Sequence, residues 1–188
     1  MNTATLRATD LLREKALSTG VWVLLGVVTS LFGLFLAAYV MRLASPDATA
    51  IAMPWQLWLS TAVLVAGSLL LHQASRWASR ARLMAGGLCG VAFVAVQCWA
   101  WQALQAANVV LAGNPAASFF YLLTGLHALH ALGGLVAWGN VTGVAGSDRR
   151  IALCARYWHF LLAVWLTLFA AFRWITPDVA RAICGVAP

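Results

Sequence analysis

Five stretches of the 188-residue chain are each long and apolar enough to cross a lipid bilayer, and this limits the fold more than any other feature. They run over Gly20–Met41, Pro54–Ala74, Leu83–Ala107, Ser118–Asn140 and Leu153–Ile175. About 20 apolar residues cover the hydrocarbon core as a helix. Barrel strands alternate apolar and polar residues, and none of these runs does. With 63% hydrophobic and 9% charged residues, the chain lacks the polar surface of a soluble domain. The expected fold is an all-α integral membrane protein. A polar arm over 1–19 precedes a single five-helix domain over 20–188. The arm lacks the short apolar core and small-residue cleavage site of a signal peptide, so no cleavage is expected.

Short, punctuated breaks separate the runs. Pro46 and Asp47 fall in the first, and Gly113, Asn114 and Pro115 precede the fourth span. The cations of the breaks set an expected orientation, because cytoplasmic loops are enriched in Lys and Arg. Arg7, Arg13, Lys15, Arg76, Arg80, Arg82, Arg149, Arg150 and Arg156 fall on one side, and Arg42, Arg173 and Arg181 on the other. The N-terminus is therefore expected in the cytoplasm and the C-terminus in the periplasm. Trp22, Trp55, Trp77, Trp138, Trp158 and Trp174 lie near span ends. Amphipathic rings favour the membrane interface there.

The formal charge of +7 does not indicate a nucleic-acid partner. Such a partner needs one clustered basic patch, whereas these cations are spread over short loops. All five acids, Asp10, Glu14, Asp47, Asp148 and Asp178, lie outside the spans. Proton pumps and proton-coupled transporters normally use intramembrane Asp, Glu or His relays, so a chain without an embedded acid fits them poorly. Cys89, Cys98, Cys154 and Cys184 form no CxxC pair and read as small apolar filler.

Ionisable groups inside a span need a partner or a function. His127 and His130 of the fourth span are three residues apart and share a helix face with Thr124, Ala131 and Gly134. A small, polar stripe of this kind lets another helix approach closely. Two other readings compete with packing. One is a membrane haem b carrier ligated by His130 and His159, since two histidines of one face cannot grip the same iron. His72, near a helix end, would serve a second haem poorly. The other is a non-haem metal site, for which the ligand set is poor without a carboxylate or thiolate pair.

The segment "SFFYLLTGLHALHALGG" resembles the signature helix of subunit III of the haem–copper respiratory oxidases: an aromatic pair, Thr-Gly-x-His-x-x-His, then glycine. Thr124, Gly125, His127, His130 and Gly133 fall on that pattern. The segment "RYWHFLLAVWLTLF" is similar to the family's last helix, with Tyr157, Trp158, His159, Phe160, Val164 and Trp165 in order. Weaker matches are "PWQLWLSTAVLVAGS", where Ser60 replaces the usual Asn, and "GVAFVAVQCWAW", with Gln97 and Trp101 in register. "WVLLGVVTSLFGLFLAAY" resembles the first helix of the five-helix form. Three acidic positions of the family are replaced by Val28, Ala100 and Leu162, which marks a divergent member.

The resemblance implies an accessory subunit without catalytic residues or metal ligands of its own. It would serve a terminal haem–copper oxidase or, alternatively, a nitric oxide reductase, since relatives of subunit III accompany some of those enzymes. Haems and copper would sit in partner subunits I and II. The chain would pack on subunit I in the bacterial inner membrane. A phospholipid cleft is expected between a two-helix group, helices 1–2, and a three-helix group, helices 3–5. The motif residues would serve helix packing. Arg156 and Trp58 are the candidate lipid contacts, although positive-inside topology and interfacial anchoring also account for them.

Overall fold

A computed structural model describes residues 3–49, 51–109, 114–143 and 148–185. The described residues form six helices and no strand. These are α1 (Thr3–Leu43), α2 (Gln56–Trp77), α3 (Arg80–Ala106), α4 (Pro115–Gly143), α5 (Asp148–Trp174) and α6 (Pro177–Cys184). α1 to α5 are each long and apolar enough to span a membrane. Most are longer than their apolar runs, because backbone hydrogen bonding continues into the polar flanks. α1 is the extreme case. Its 41 residues rise roughly 60 Å, about twice the hydrocarbon thickness. Most of the stretch expected as a separate arm is therefore part of this helix. Gly113 lies outside the described residues.

Local chemistry fixes the turns. Only Ala78 and Ser79 separate α2 from α3, so the two helices fold back on each other. Ala78 takes a left-handed conformation at φ 46°, and the Ser79 hydroxyl accepts from the Arg82 amide to cap α3. α3 ends in a Schellman arrangement. Asn108 is left-handed at φ 59°, its amide donates to the Gln105 carbonyl and the Val109 amide donates to the Leu104 carbonyl. Asn114 caps α4 by accepting from the Ala116 amide at 3.0 Å, while its Nδ2 donates to the Thr49 carbonyl at 2.8 Å. In the same loop Arg42 grips Asp47 through two hydrogen bonds of 3.1 and 2.8 Å. Ser45 and this guanidinium hold the Asp47 carboxyl below the usual carboxylate range. α6 was not expected, yet its signals are ordinary: Thr176 caps it, Pro177 opens it and Gly185 closes it at φ 67°.

α2, α3, α4 and α5 form a ring in which each packs on the next, and α1 lies outside it against α4, α5 and α6. Among the described residues α1 and α2 do not touch. The expected pairing of helices 1 and 2 is therefore corrected. The two-residue turn commits α2 to α3, whereas the longer stretch between Leu43 and Gln56 lets α1 settle on the α4–α5 groove. The gap between α1 and α2 opens over α5 into a cavity of about 380 Å³ lined by Tyr39, Trp58, Phe120, Phe172 and Arg173 among others.

The ring closes on a glycine-rich face of α3. Leu71 of α2 fills the space over Gly86, 2.7 Å from where a Cβ would stand, and Gly67 of α2 meets Cys89 at 2.9 Å. The Trp138 ring of α4 occupies the place of a side chain at Gly87, and the Trp158 ring of α5 does so at Gly90. The Trp138 indole also donates to the Leu83 carbonyl at 2.8 Å. Two of the six expected interfacial tryptophans are thus packing residues. Trp22, Trp55, Trp77 and Trp174 stay exposed, at 59–70%.

A side chain at Gly90 must expel Trp158, whereas one at Gly125 meets no neighbouring atom within 4 Å. Gly90→Leu is therefore expected to destabilise the chain by about 3 kcal/mol or more, and Gly125→Leu by less than about 0.5 kcal/mol. Thermal unfolding in detergent separates the two. Ala78→Gly relieves the left-handed turn and is expected to raise stability by about 0.5–1 kcal/mol in the same assay, with Ala78→Val lowering it.

Candidate functional site

The motif face of α4 points into the bundle. Thr124, His127, Ala131 and Gly134 are buried, and His130, a step round the helix, is half-buried. The Thr124 hydroxyl donates to the Phe120 carbonyl at 2.7 Å and accepts from the Trp101 indole of α3 at 3.1 Å. One turn further, His127 lies where helices converge and is 0% exposed. Its ring meets Phe93 of α3 edge-on at 5.7 Å, Phe32 of α1 at 6.3 Å and Trp165 of α5 at 5.2 Å. Trp165 in turn donates to the Thr61 hydroxyl of α2 at 2.9 Å. All five spans thus meet at one level.

Neither ring nitrogen of His127 has a hydrogen-bond partner within the protein, nor does the side-chain amide of Gln97 on α3. Each unmade bond of this kind costs about 1–3 kcal/mol. A protonated imidazole here would add an unpaired charge in an apolar, aromatic shell, so the ring is neutral.

His130 turns toward α1. Its Nδ1 lies 2.7 Å from the Leu126 carbonyl, and a carbonyl only accepts, so Nδ1 carries the proton. Its ring packs against Phe32 at 5.5 Å. The backbone carbonyl of His130 accepts from the Tyr157 hydroxyl at 3.0 Å, tying α4 to α5. His159 faces the other way. Its Nδ1 lies 2.6 Å from the Ser68 hydroxyl and its Nε2 3.3 Å from Nδ1 of His72, both on α2. The two histidines proposed for one haem therefore point at different helices, and the geometry does not fit a bis-imidazole iron between them. Among the described residues no cluster of three or more His, Cys, Asp or Glu side chains could hold a metal.

The other motif residues divide by side. Trp158 and Trp165 are core, Tyr157 is buried, and Phe160 is half-buried. Gly133 faces outward, and a Cβ at Gly125 would meet nothing. Arg156 is exposed and stands 5.5 Å above the Trp22 ring of α1. Trp58 is 60% exposed, packs edge-on to Phe169 at 4.8 Å and borders the gap between α1 and α2. Val28 and Ala100, standing where the family has acids, are buried in packed apolar surroundings, and Leu162 is half-buried. The Ser68–His72 pair was undervalued in the sequence. Its spacing of four places both side chains on one face of α2, which was the available signal.

No family model matches the sequence. Over 95 residues it is 30% identical to proteins named probable cytochrome c oxidase subunit 3 from Mycobacterium tuberculosis and Mycobacterium bovis, covering 47% of this chain and 47% of each relative. A protein of the same name from Nocardia farcinica is 32% identical over the same shares. The chain thus spans about half the length of the curated relatives it matches. With the two motif helices, these likenesses identify the chain as a divergent, subunit III-like relative of the proteins named probable cytochrome c oxidase subunit 3.

Proposed function

We propose that this chain is a cofactor-free accessory subunit of a terminal haem–copper oxidase in aerobic respiration. It spans the bacterial inner membrane with its N-terminus in the cytoplasm and its C-terminus in the periplasm. It packs on subunit I of a complex whose haems and copper lie in subunits I and II. It stabilises the catalytic subunit and binds structural phospholipid, with Trp58 and the cavity between α1 and α2 as one contact and Arg156 as another.

One observation carries this reading. The polar groups of the motif helices are spent on holding helices together. Thr124 takes Trp101, Tyr157 takes the His130 carbonyl, and His159 takes Ser68. His127 is sealed among aromatic rings that substrate cannot reach. A chain with its chemistry so committed offers a neighbour surface rather than catalysis. Its outward faces are apolar and extensive: Val23, Val27 and Leu34 of α1 and Leu129 and Val136 of α4 are all exposed.

Blue-native electrophoresis of source membranes is expected to show the chain co-migrating with haem-bearing subunits, and the purified chain alone is expected to be colourless. A Soret and α band retained by the isolated chain would overturn the proposal in favour of an electron carrier.

The packing role also predicts a contrast between two substitutions. His127→Leu removes the unpartnered nitrogens from an apolar shell and is expected to leave stability in detergent unchanged or raise it by about 1 kcal/mol. Ser68→Ala, which strips a partner from His159 between α2 and α5, is expected to lower stability by about 1 kcal/mol.

A further inference from the structure

A second cavity, of about 540 Å³, lies between α1, α4 and α5 at the end of the bundle that bears most of the cations. Leu17 and Leu24 of α1 and Leu153 of α5 form apolar walls, and Ala137 and Gly133 of α4 form its floor. Arg150, in the first turn of α5, is the one charged side chain among its described lining residues. The cavity lies at the opposite end of the bundle from the one bordered by Trp58.

Its shape and charge select among occupants. A helix is about 10 Å across, so a space of this volume would admit little more than one turn. A single acyl chain is much narrower and can lie along the whole groove. A guanidinium at one end of an apolar slot matches a phosphate at the head of such a chain, through paired N–H donors. Arg156, drawn toward α1 over the Trp22 ring, adds positive charge to the same helix pair. Zwitterionic headgroups offset much of their phosphate charge internally, so this cationic rim favours a net-negative headgroup.

We propose that this cavity is an anionic-phospholipid site, with one acyl chain laid between α1 and α4–α5 and the headgroup phosphate held by Arg150. It deepens the lipid-binding part of the proposed function by naming a site and a headgroup class. It depends on the chain lying in a bilayer, not on which complex the chain joins. The site also gives Gly133 a role that helix packing does not. A Cβ there has only the Tyr157 hydroxyl as a neighbour, at 3.7 Å, so the missing side chain leaves room for the lipid.

The test is native mass spectrometry of the full chain in detergent, offered palmitoyl-oleoyl phosphatidylglycerol or the matching phosphatidylcholine. The wild type is expected to retain one phosphatidylglycerol at least about fivefold better than phosphatidylcholine. Arg150→Gln is expected to reduce phosphatidylglycerol to the phosphatidylcholine level, while Arg150→Lys keeps most of the preference. Gly133→Leu fills the floor of the cavity and is expected to lower retention of both lipids; if it fails to fold, the Arg150 pair carries the test. Trp58→Ala, at the other end of the bundle, is expected to leave the preference intact. Equal retention of the two lipids by the wild type would overturn the site, as would undiminished phosphatidylglycerol binding in Arg150→Gln. Loss of co-migration with an oxidase would defeat the subunit assignment while leaving these measurements unaffected.

Discussion

Helices surrounded by lipid gain little from burying leucine against leucine, because the acyl chains are already apolar. Association has to come from close packing and from hydrogen bonds between helices. In this protein the close packing centres on α3. Gly86 and Gly67 bring α3 and α2 together, while Gly87 and Gly90 receive two whole indole rings from α4 and α5. The ring of four helices is closed by those insertions. α1 depends on it, since it rests only on the groove and short helix that the ring presents.

The same economy governs the polar residues. Bonds between α3 and α4, α4 and α5, and α2 and α5 are made by Trp101–Thr124, Tyr157–His130 and His159–Ser68. None uses a formal charge, which would be costly at this depth. The replacement of the family's acids by Val28, Ala100 and Leu162 fits that pattern. Val28 sits in α1's buried stripe with Leu25 and Phe32, and Ala100 is fully enclosed. An acid at either position would need a partner that the surrounding apolar side chains do not offer.

Much of this was legible in the sequence. The five spans, their order and the inward turn of the Thr124–His127 face followed from apolar length and helical spacing. The helix ends were less so, because apolar length reports where lipid ends and not where backbone hydrogen bonding ends. The placement of α1 was missed because loop length permits a contact without choosing it. Trp138 and Trp158 were misread as interfacial. An indole near a span end can anchor at the interface or fill a glycine notch, and only the neighbouring helix decides between these. The direction of His159 was similarly hidden, since it required knowing that Ser68 and His72 of α2 stand opposite.

α1 is an unbroken rod, and its contacts lie along one stripe in the half that includes Phe32 and Tyr39. Pivoting at Phe32, its far end at Thr3 lies roughly 45 Å away and would sweep about 0.8 Å for each degree of tilt. Changes in bilayer thickness, which helices accommodate by tilting, would therefore be magnified in the aqueous phase. A small mechanical event within the lipid would thus reach the water as a displacement large enough for a neighbouring protein to register.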